Sequence, residues 1–231
     1  MRVNELKVLF VGDCSNVAAG LAKGLEGLGA TVSYVQRSLR CPDRPTDLVF
    51  YDDYDVVHLS YPFHLWKTRF AFKGRHLVLH WHGSDARNYF AGWPVKKFLR
   101  GRADVNLLST IDLNYWIPEG EHFLGCVDTS VFRPMPEIKK RDGVLEWGRG
   151  SKGPWIPHNQ VPYLLNQFRE ARVFPGKSLN PRLVSVSALE AAACGLRVLD
   201  HPYMTRKWVV ENAGLDAAAK RLLGVYEKVI D

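Results

Sequence analysis

Apolar residues fall into short runs that glycine, proline and polar residues separate. The first run, residues 6–11, has the length of a strand and ends at Gly12. Apolar positions then recur at helical spacing from residue 17 to residue 28, and Gly29 stands where a helix commonly ends. Residues 30–35 form a second strand-like run. The pattern predicts two parallel strands joined by a helix.

The same alternation continues to the end of the chain. Strand-like runs occupy residues 56–60, 77–81, 105–109, 123–127, 144–147, 171–174 and 197–199, and helical spacing occupies residues 94–102, 183–194 and 216–229. A proline-rich and charged stretch at residues 133–142 is typical of a linker. These features predict an α/β protein with two small Rossmann-like lobes, residues 1–134 and 135–215. A C-terminal helix, residues 216–231, is expected to pack back on the first lobe.

Composition excludes several classes of protein. The chain has 231 residues, 46% hydrophobic and 24% charged, which rules out disordered, collagen-like and coiled-coil proteins. No apolar stretch reaches the ~20 residues that a membrane-spanning helix needs. The cysteines at positions 14, 41, 126 and 194 are widely spaced, so neither a zinc clip nor a disulfide framework is predicted. A reducing cytoplasmic compartment is the simplest expectation.

The charge balance indicates an anionic partner. Lys and Arg outnumber Asp and Glu by 31 to 24, a net charge of +7. Nucleotide phosphate, nucleic acid and an acidic membrane surface all fit, and the absence of a recognisable reader motif counts against nucleic acid. One basic segment flanked by aromatic residues suits an anionic membrane surface: Phe90, Trp93, Lys96, Lys97, Arg100 and Arg102. The alternative is an ordinary surface helix with its apolar side in the core.

Three segments carry motifs, namely LHWHGSD at residues 79–85, VDTSVFRP at 127–134 and ALEAAACGLRV at 188–198. In this order they resemble the retaining, nucleotide-sugar-dependent glycosyltransferases of the GT-B fold, family four. The resemblance spans most of the chain and implies two Rossmann-like lobes with a cleft between them. It also implies transfer of a sugar from a nucleoside diphosphate sugar to an acceptor hydroxyl, with retention and without a metal or further cofactor. A lipid-linked or glycan acceptor on the cytoplasmic side of a membrane would suit the basic segment.

The resemblance also assigns roles to residues. His82, at the carboxyl end of a strand, and Asp85 are the catalytic candidates, whereas His80 is expected to be structural. Donor binding is assigned to a basic glycine loop, to the start of the helix near residue 183 and to a glutamate that accepts hydrogen bonds from the ribose: Arg149, Lys152, Arg182, Ser185, Val186 and Glu190. Gly12 lets a ligand approach the backbone and completes the donor set. The alternatives are that His82 is a hydrogen-bonded turn histidine, that Glu190 is a solvated glutamate and that the basic glycine loop lies in solvent.

Two segments are similar to known metal sites, and one position differs from the family that the motifs resemble. His80-x-His82 with Asp85 is similar to an amidohydrolase metal pair, but two small lobes are too little for the remaining ligands. Asp53-x-Asp55 precedes a strand, so a solvated strand entry is predicted there. Arg182 stands where the family carries the first Glu of a Glu–x7–Glu pair, and only 18 residues separate Lys152 from Ala171. A non-catalytic relative that binds a nucleotide or a sugar therefore remains the alternative function.

Overall fold

The computed structural model describes residues 2–12, 16–35, 53–60, 76–82, 100–101, 103–147, 156–173 and 184–231. The chain forms two compact units, one of Met1–Leu124 with Ala219–Asp231 and one of Gly125–Ala218. The division falls earlier than residue 134 because the segment after Leu124 bonds within the second unit. The Val127 amide donates to the Ala213 carbonyl at 2.9 Å, and the Arg206 guanidinium donates to the Phe132 carbonyl at 3.0 Å.

The first unit is built on a parallel sheet of six strands in the order β2-β1-β3-β4-β5-β6. Its strands are β1 (Lys7–Val11), β2 (Thr31–Val35), β3 (Val56–Ser60), β4 (His76–Trp81), β5 (Val105–Leu108) and β6 (Glu121–His122). Helix α1 (Val17–Gly27) joins β1 to β2 and buries Leu21 and Leu25. Every residue of β3 is buried, as are all but the first of β4, because these strands lie in the middle of the sheet.

The second unit contains a parallel sheet of three strands in the order β7-β8-β9. The strands are β7 (Val144–Trp147), β8 (Glu170–Val173) and β9 (Arg197–Val198), and the helices are α2 (Val161–Leu165), α3 (Val186–Ala193) and α4 (Arg206–Ala213). The last helix of the chain, α5 (Leu215–Ile230), has Tyr226 fully buried in the first unit.

The α/β prediction with parallel strands is confirmed, with local differences. The predicted strand at residues 123–127 is replaced by the short β6 and by a single bridge between Val127 and Gly214. Helix α3 begins later than residue 183 because the Ser185 hydroxyl caps it, accepting from the Ala188 amide at 3.2 Å. The predicted helix at residues 94–102 lies outside the described residues except for Arg100 and Gly101.

Candidate active site

Polar or small residues stand at the carboxyl ends of four neighbouring strands in the first sheet. Gly12 follows β1, Ser60 ends β3, His82 follows β4 and Ser109 follows β5. Because the strands are parallel, these ends meet at one edge, which we call the carboxyl edge. The strand order reverses between β1 and β3, and open α/β sheets bind ligands outside such a reversal. The carboxyl edge is therefore the candidate site.

His82 is held through both nitrogens of its ring. Its Nδ1 lies 2.7 Å from the Ser109 hydroxyl, and its Nε2 lies 3.1 Å from the Ser60 hydroxyl. The ring is half-buried, whereas Ser60 is almost completely buried. Residues from the strands on either side of β4 thus fix the ring orientation of His82.

Two further histidines lie behind His82 in the sheet, and both are fully buried. The Nε2 atom of His80 is 3.1 Å from the Ser109 hydroxyl, and its Nδ1 is 3.3 Å from Nε2 of His58. On its other side, the Nδ1 of His58 is 2.7 Å from the Tyr226 hydroxyl on α5. A continuous series of polar contacts therefore leads from the last helix to the carboxyl edge.

The three imidazoles are neutral at ordinary pH because their surroundings disfavour charge. Burial, helped by the nearby His82, lowers the pKa of His58 to about 3. Burial also lowers the pKa of His82 to about 3 and that of His80 well below its usual range. The Phe10 ring stacks on His58 with centroids 4.7 Å apart, which adds to the apolar setting. A neutral His82 can donate or accept a hydrogen bond, but it does not supply a cation.

The same contacts bear on metal binding. Among the described residues, no group of three His, Cys, Asp or Glu side chains is arranged to hold a metal ion. Each ring nitrogen of His58, His80 and His82 already lies within hydrogen-bond distance of a protein group. These histidines are thus arranged in sequence along a path, not around a common centre.

Gly12 is explained by the neighbouring backbone. Its φ is +77°, and a Cβ at this position would lie 2.5 Å from the Ser60 carbonyl oxygen. Both features exclude a side chain. The close approach of β1 and β3 alone therefore requires this glycine, and its assignment to donor binding stays a prediction.

The Asp53-x-Asp55 segment lies at the amino end of β3, opposite the carboxyl edge. The Asp55 carboxylate accepts a hydrogen bond from the Lys7 amide at 2.8 Å. Between the two acidic residues, the Tyr54 hydroxyl bonds to Ser33 at 2.7 Å. Asp55 is therefore part of the start of the sheet.

Three of the predicted donor-binding residues belong to α3 or its cap: Ser185, Val186 and Glu190. Glu190 is only 1% exposed, so the solvated-glutamate interpretation is wrong. Its Oε1 lies 3.8 Å from Nε2 of His158, whose side chain is 40% exposed. Burial, together with the nearby Glu190 carboxylate, raises the pKa of Cys194 to about 12. Glu190 is thus a buried carboxylate beside a partly exposed imidazole.

The remaining predicted site residues lie outside the part of the chain that the structure describes. They are Asp85, Arg149, Lys152 and Arg182. Their roles stay predictions.

One residue of the predicted membrane-binding segment has a protein partner. Arg100 donates two hydrogen bonds to the Glu119 carboxylate and a third to the Trp116 carbonyl. These bonds hold the pKa of Glu119 below its usual range. The charge of Arg100 is therefore offset within the protein.

Among the described helices, none has both the length and the apolar character needed to cross a membrane.

No protein-family model matches the chain, and no curated protein matches it. The candidate site therefore rests on its own geometry.

Sequence reasoning missed the residues that surround His82. Ser60 and Ser109 each follow an apolar run, and His58 interrupts one, so polar residues at these positions are the available signal. The contact of His58 with Tyr226 spans 168 residues and leaves no local signal. His158 was missed for the same reason, since its neighbour Glu190 lies on another element.

Proposed function

We propose that this protein is a GT-B-type glycosyltransferase that moves a sugar from a nucleoside diphosphate sugar to an acceptor hydroxyl. The bond between the anomeric carbon and the diphosphate oxygen breaks, and its electron pair leaves with the diphosphate. The acceptor oxygen bonds to the same face of the sugar and transfers its proton to the departing diphosphate. Neither a metal nor a resident cofactor takes part, as in the family that the motifs resemble.

The observation that carries the proposal is the position of His82. The residue stands in the HGSD motif and at the carboxyl edge, next to the reversal in strand order where such sheets bind ligands. As a neutral imidazole, it acts by hydrogen bonding to an oxygen of the transferred sugar or of its leaving group, either at Nε2 in exchange for Ser60 or through the Ser60 hydroxyl. Such a preorganised contact accelerates a reaction without reorganisation during the step.

The second unit would bind the donor nucleotide. Arg149, Lys152 and Arg182 supply the cations for the diphosphate, and Ser185 and Val186 stand at the start of α3, where the positive end of the helix dipole favours an anion. Glu190 accepts hydrogen bonds from the ribose hydroxyls. Its burial supports this role, because a buried carboxylate is retained only where donors satisfy it.

A second candidate is a binding protein without catalysis, and Arg182 in place of a family glutamate favours it. Under either function, a cytoplasmic location with attachment to an anionic membrane would bring the protein to a lipid-linked acceptor. Because Glu119 offsets the charge of Arg100, we assign that contact to Lys96, Lys97 and Arg102, which lie outside the described residues.

A screen of nucleoside diphosphate sugars for transfer or hydrolysis tests the proposal. His82→Ala should lower turnover at least ~100-fold, because a positioned group of this kind contributes 10²–10⁴-fold. The matched control is His76→Ala at the amino end of the same strand, where the side chain is 38% exposed. We expect little change there. Thermal stabilisation by nucleoside diphosphates without turnover of any sugar would instead establish the binding protein.

A further inference from the structure

A single path of hydrogen bonds crosses the first unit and ends at the carboxyl edge. We call it the polar chain, and its members in order are Tyr226, His58, His80, Ser109, His82 and Ser60. Each hydroxyl and each neutral imidazole carries one proton, so six protons are available for five hydrogen bonds. A neutral imidazole that accepts at one nitrogen must donate at the other. Because the Ser109 hydroxyl has two acceptor lone pairs, the five bonds either point one way throughout or converge on Ser109, and one hydroxyl keeps a proton that the polar chain does not use.

The distances indicate which way the bonds point. Hydrogen bonds donated by hydroxyl groups are shorter than those donated by N–H groups. The two shortest bonds, both 2.7 Å, join Tyr226 to His58 and Ser109 to His82. Both are hydroxyl-donated only if the bonds point from Tyr226 towards Ser60. The other three bonds, at 3.1 to 3.3 Å, are then the N–H-donated ones. The opposite direction would make both short bonds N–H-donated, and convergence on Ser109 would make the short bond between Ser109 and His82 N–H-donated.

The burial of Tyr226 supports the same direction for the first bond. Tyr226 is 0% exposed, and its hydroxyl has no other partner among the described residues. A phenol proton that did not point at His58 would thus be buried without an acceptor, which is costly. Burial also raises the pKa of Tyr226 well above its usual range, so the proton stays on the phenol. The unused proton is left at Ser60, which lies at the carboxyl edge beside Gly12.

We propose that Tyr226, His58, His80 and Ser109 are positioning residues that hold His82 as its Nε2–H tautomer. Ser60, oriented by the Nε2–H of His82, then forms with it a donor pair whose unused proton, that of the Ser60 hydroxyl, binds an acceptor oxygen of the substrate at the carboxyl edge. The substrate part rests on the proposed function, whereas the tautomer part does not. Because each bond polarises the next, the last hydroxyl is a stronger donor than an isolated serine.

Nitrogen-15 NMR of the imidazole rings tests the tautomer in the unmodified protein. We expect His58, His80 and His82 all to carry their proton on Nε2 at neutral pH. A proton on Nδ1 of His82, or rapid exchange between the two nitrogens, would overturn the inference. This measurement needs neither substrate nor turnover.

Tyr226→Phe removes the group that sets the direction. We expect a second His82 tautomer to become populated, although the substitution lies on α5. The matched control is Tyr54→Phe, which removes a hydroxyl of the same kind, 2.7 Å from Ser33 and outside the polar chain. The control should leave all three tautomers as they were. Unchanged His82 in folded Tyr226→Phe would overturn the inference.

Ser109→Ala interrupts the polar chain at a second point, between His80 and His82, and it tests the tautomer if Tyr226→Phe does not fold. In this variant, a second tautomer of His82 should become populated while His58 and His80 stay protonated on Nε2. A His82 that remains entirely in the Nε2–H form would contradict the proposal.

In turnover, Tyr226→Phe should lower kcat about twofold or more, because only part of the population holds the productive tautomer. Nucleoside diphosphate affinity should not change. A changed tautomer with unchanged kcat would remove the donor-pair role, and a protein with no turnover would refute only the proposed function.

Discussion

The two units bury polar groups in different ways. In the first, imidazoles and hydroxyls lie in the central strands, where both faces of the sheet are covered, and they satisfy one another as neutral groups. In the second, the carboxylate of Glu190 is buried beside an imidazole that is itself 40% exposed. The sheet of the second unit differs too, since β7 is exposed along most of its length and keeps Glu146 on the surface.

The difference indicates what each unit requires from its surroundings. A neutral polar chain needs no counter-ion, so the first unit holds its geometry before any ligand arrives. A buried carboxylate is stabilised by donors and cations, which a bound ligand can supply. We infer that the first unit provides rigid positioning, whereas ligand binding adjusts the second.

The largest expected effect is the loss of unfolding free energy in acid, which tests whether the buried histidines of the first unit stay neutral. The pKa of His58 is lowered to about 3 and that of His80 is also lowered, so between pH 6.5 and about 3 the unfolded chain binds protons that the folded chain does not. Stability is therefore complete above pH 6.5 and falls with pH below it. These two fully buried sites alone, without the half-buried His82, give a slope of about 3 kcal/mol per pH unit.

Urea unfolding at a series of pH values from 7 to 5 measures this slope, in a range above most carboxyl titration. His76→Asn, which removes a partly exposed imidazole from the same strand, should keep the slope. A free energy of unfolding that stays level from pH 7 to pH 5 would show that the buried histidines accept protons without cost.

Gly12→Ala sharpens the comparison within the first unit. The added Cβ would meet the Ser60 carbonyl at 2.5 Å in a backbone conformation that side chains rarely adopt. We expect unfolding free energy to drop by about 3 kcal/mol, from strain and the forced separation of β1 and β3. Gly29→Ala, with φ of +101° and no atom within 4 Å, carries only the strain and should cost about 1 kcal/mol. If Gly12→Ala instead kept its stability and lost only nucleotide affinity, the glycine would serve the ligand.

Glu190→Gln is the smallest change and tests the second unit. Loss of a charge-assisted hydrogen bond to the ribose should weaken ribonucleoside diphosphate binding roughly tenfold. Glu170→Gln in the same unit removes an exposed carboxylate that pairs with Arg197 and should leave affinity unchanged. Calorimetry with ribose and deoxyribose nucleotides checks the assignment, because equal losses on both would place Glu190 away from the ribose.

Sequence patterns captured elements whose apolar spacing is local. The strands β3 and β7 have the predicted bounds, and α5 differs from its prediction by one residue at each end. Helix α4 was missed because it is short and mixes charged residues such as Lys207 with Trp208, so its sequence shows no continuous apolar face. The predicted strand at 123–127 was wrong because those apolar residues are buried by packing without a neighbouring strand to pair with along their length.

Of the polar chain at the candidate site, the sequence predicted only His82 as a functional residue. His82 was found because a polar residue after an apolar strand marks the edge where ligands bind. The groups that fix its ring come from β3, β5 and α5, and their register depends on how the strands pair. No spacing along the chain places Ser60 and Ser109 on opposite sides of one imidazole.

The first unit is interrupted in the sequence, and this has a consequence for biosynthesis. Its residues up to Leu124 are made first, and the second unit is then made in full before Ala219–Asp231 returns to complete the first. At a synthesis rate of about 5–20 residues per second, Tyr226 follows Leu124 from the ribosome after roughly 5–20 s. Until then, the imidazole of His58 has no phenol to bind. The nascent sheet therefore passes through a stage in which its centre is polar and incomplete, and a chaperone that shields it would act in that interval.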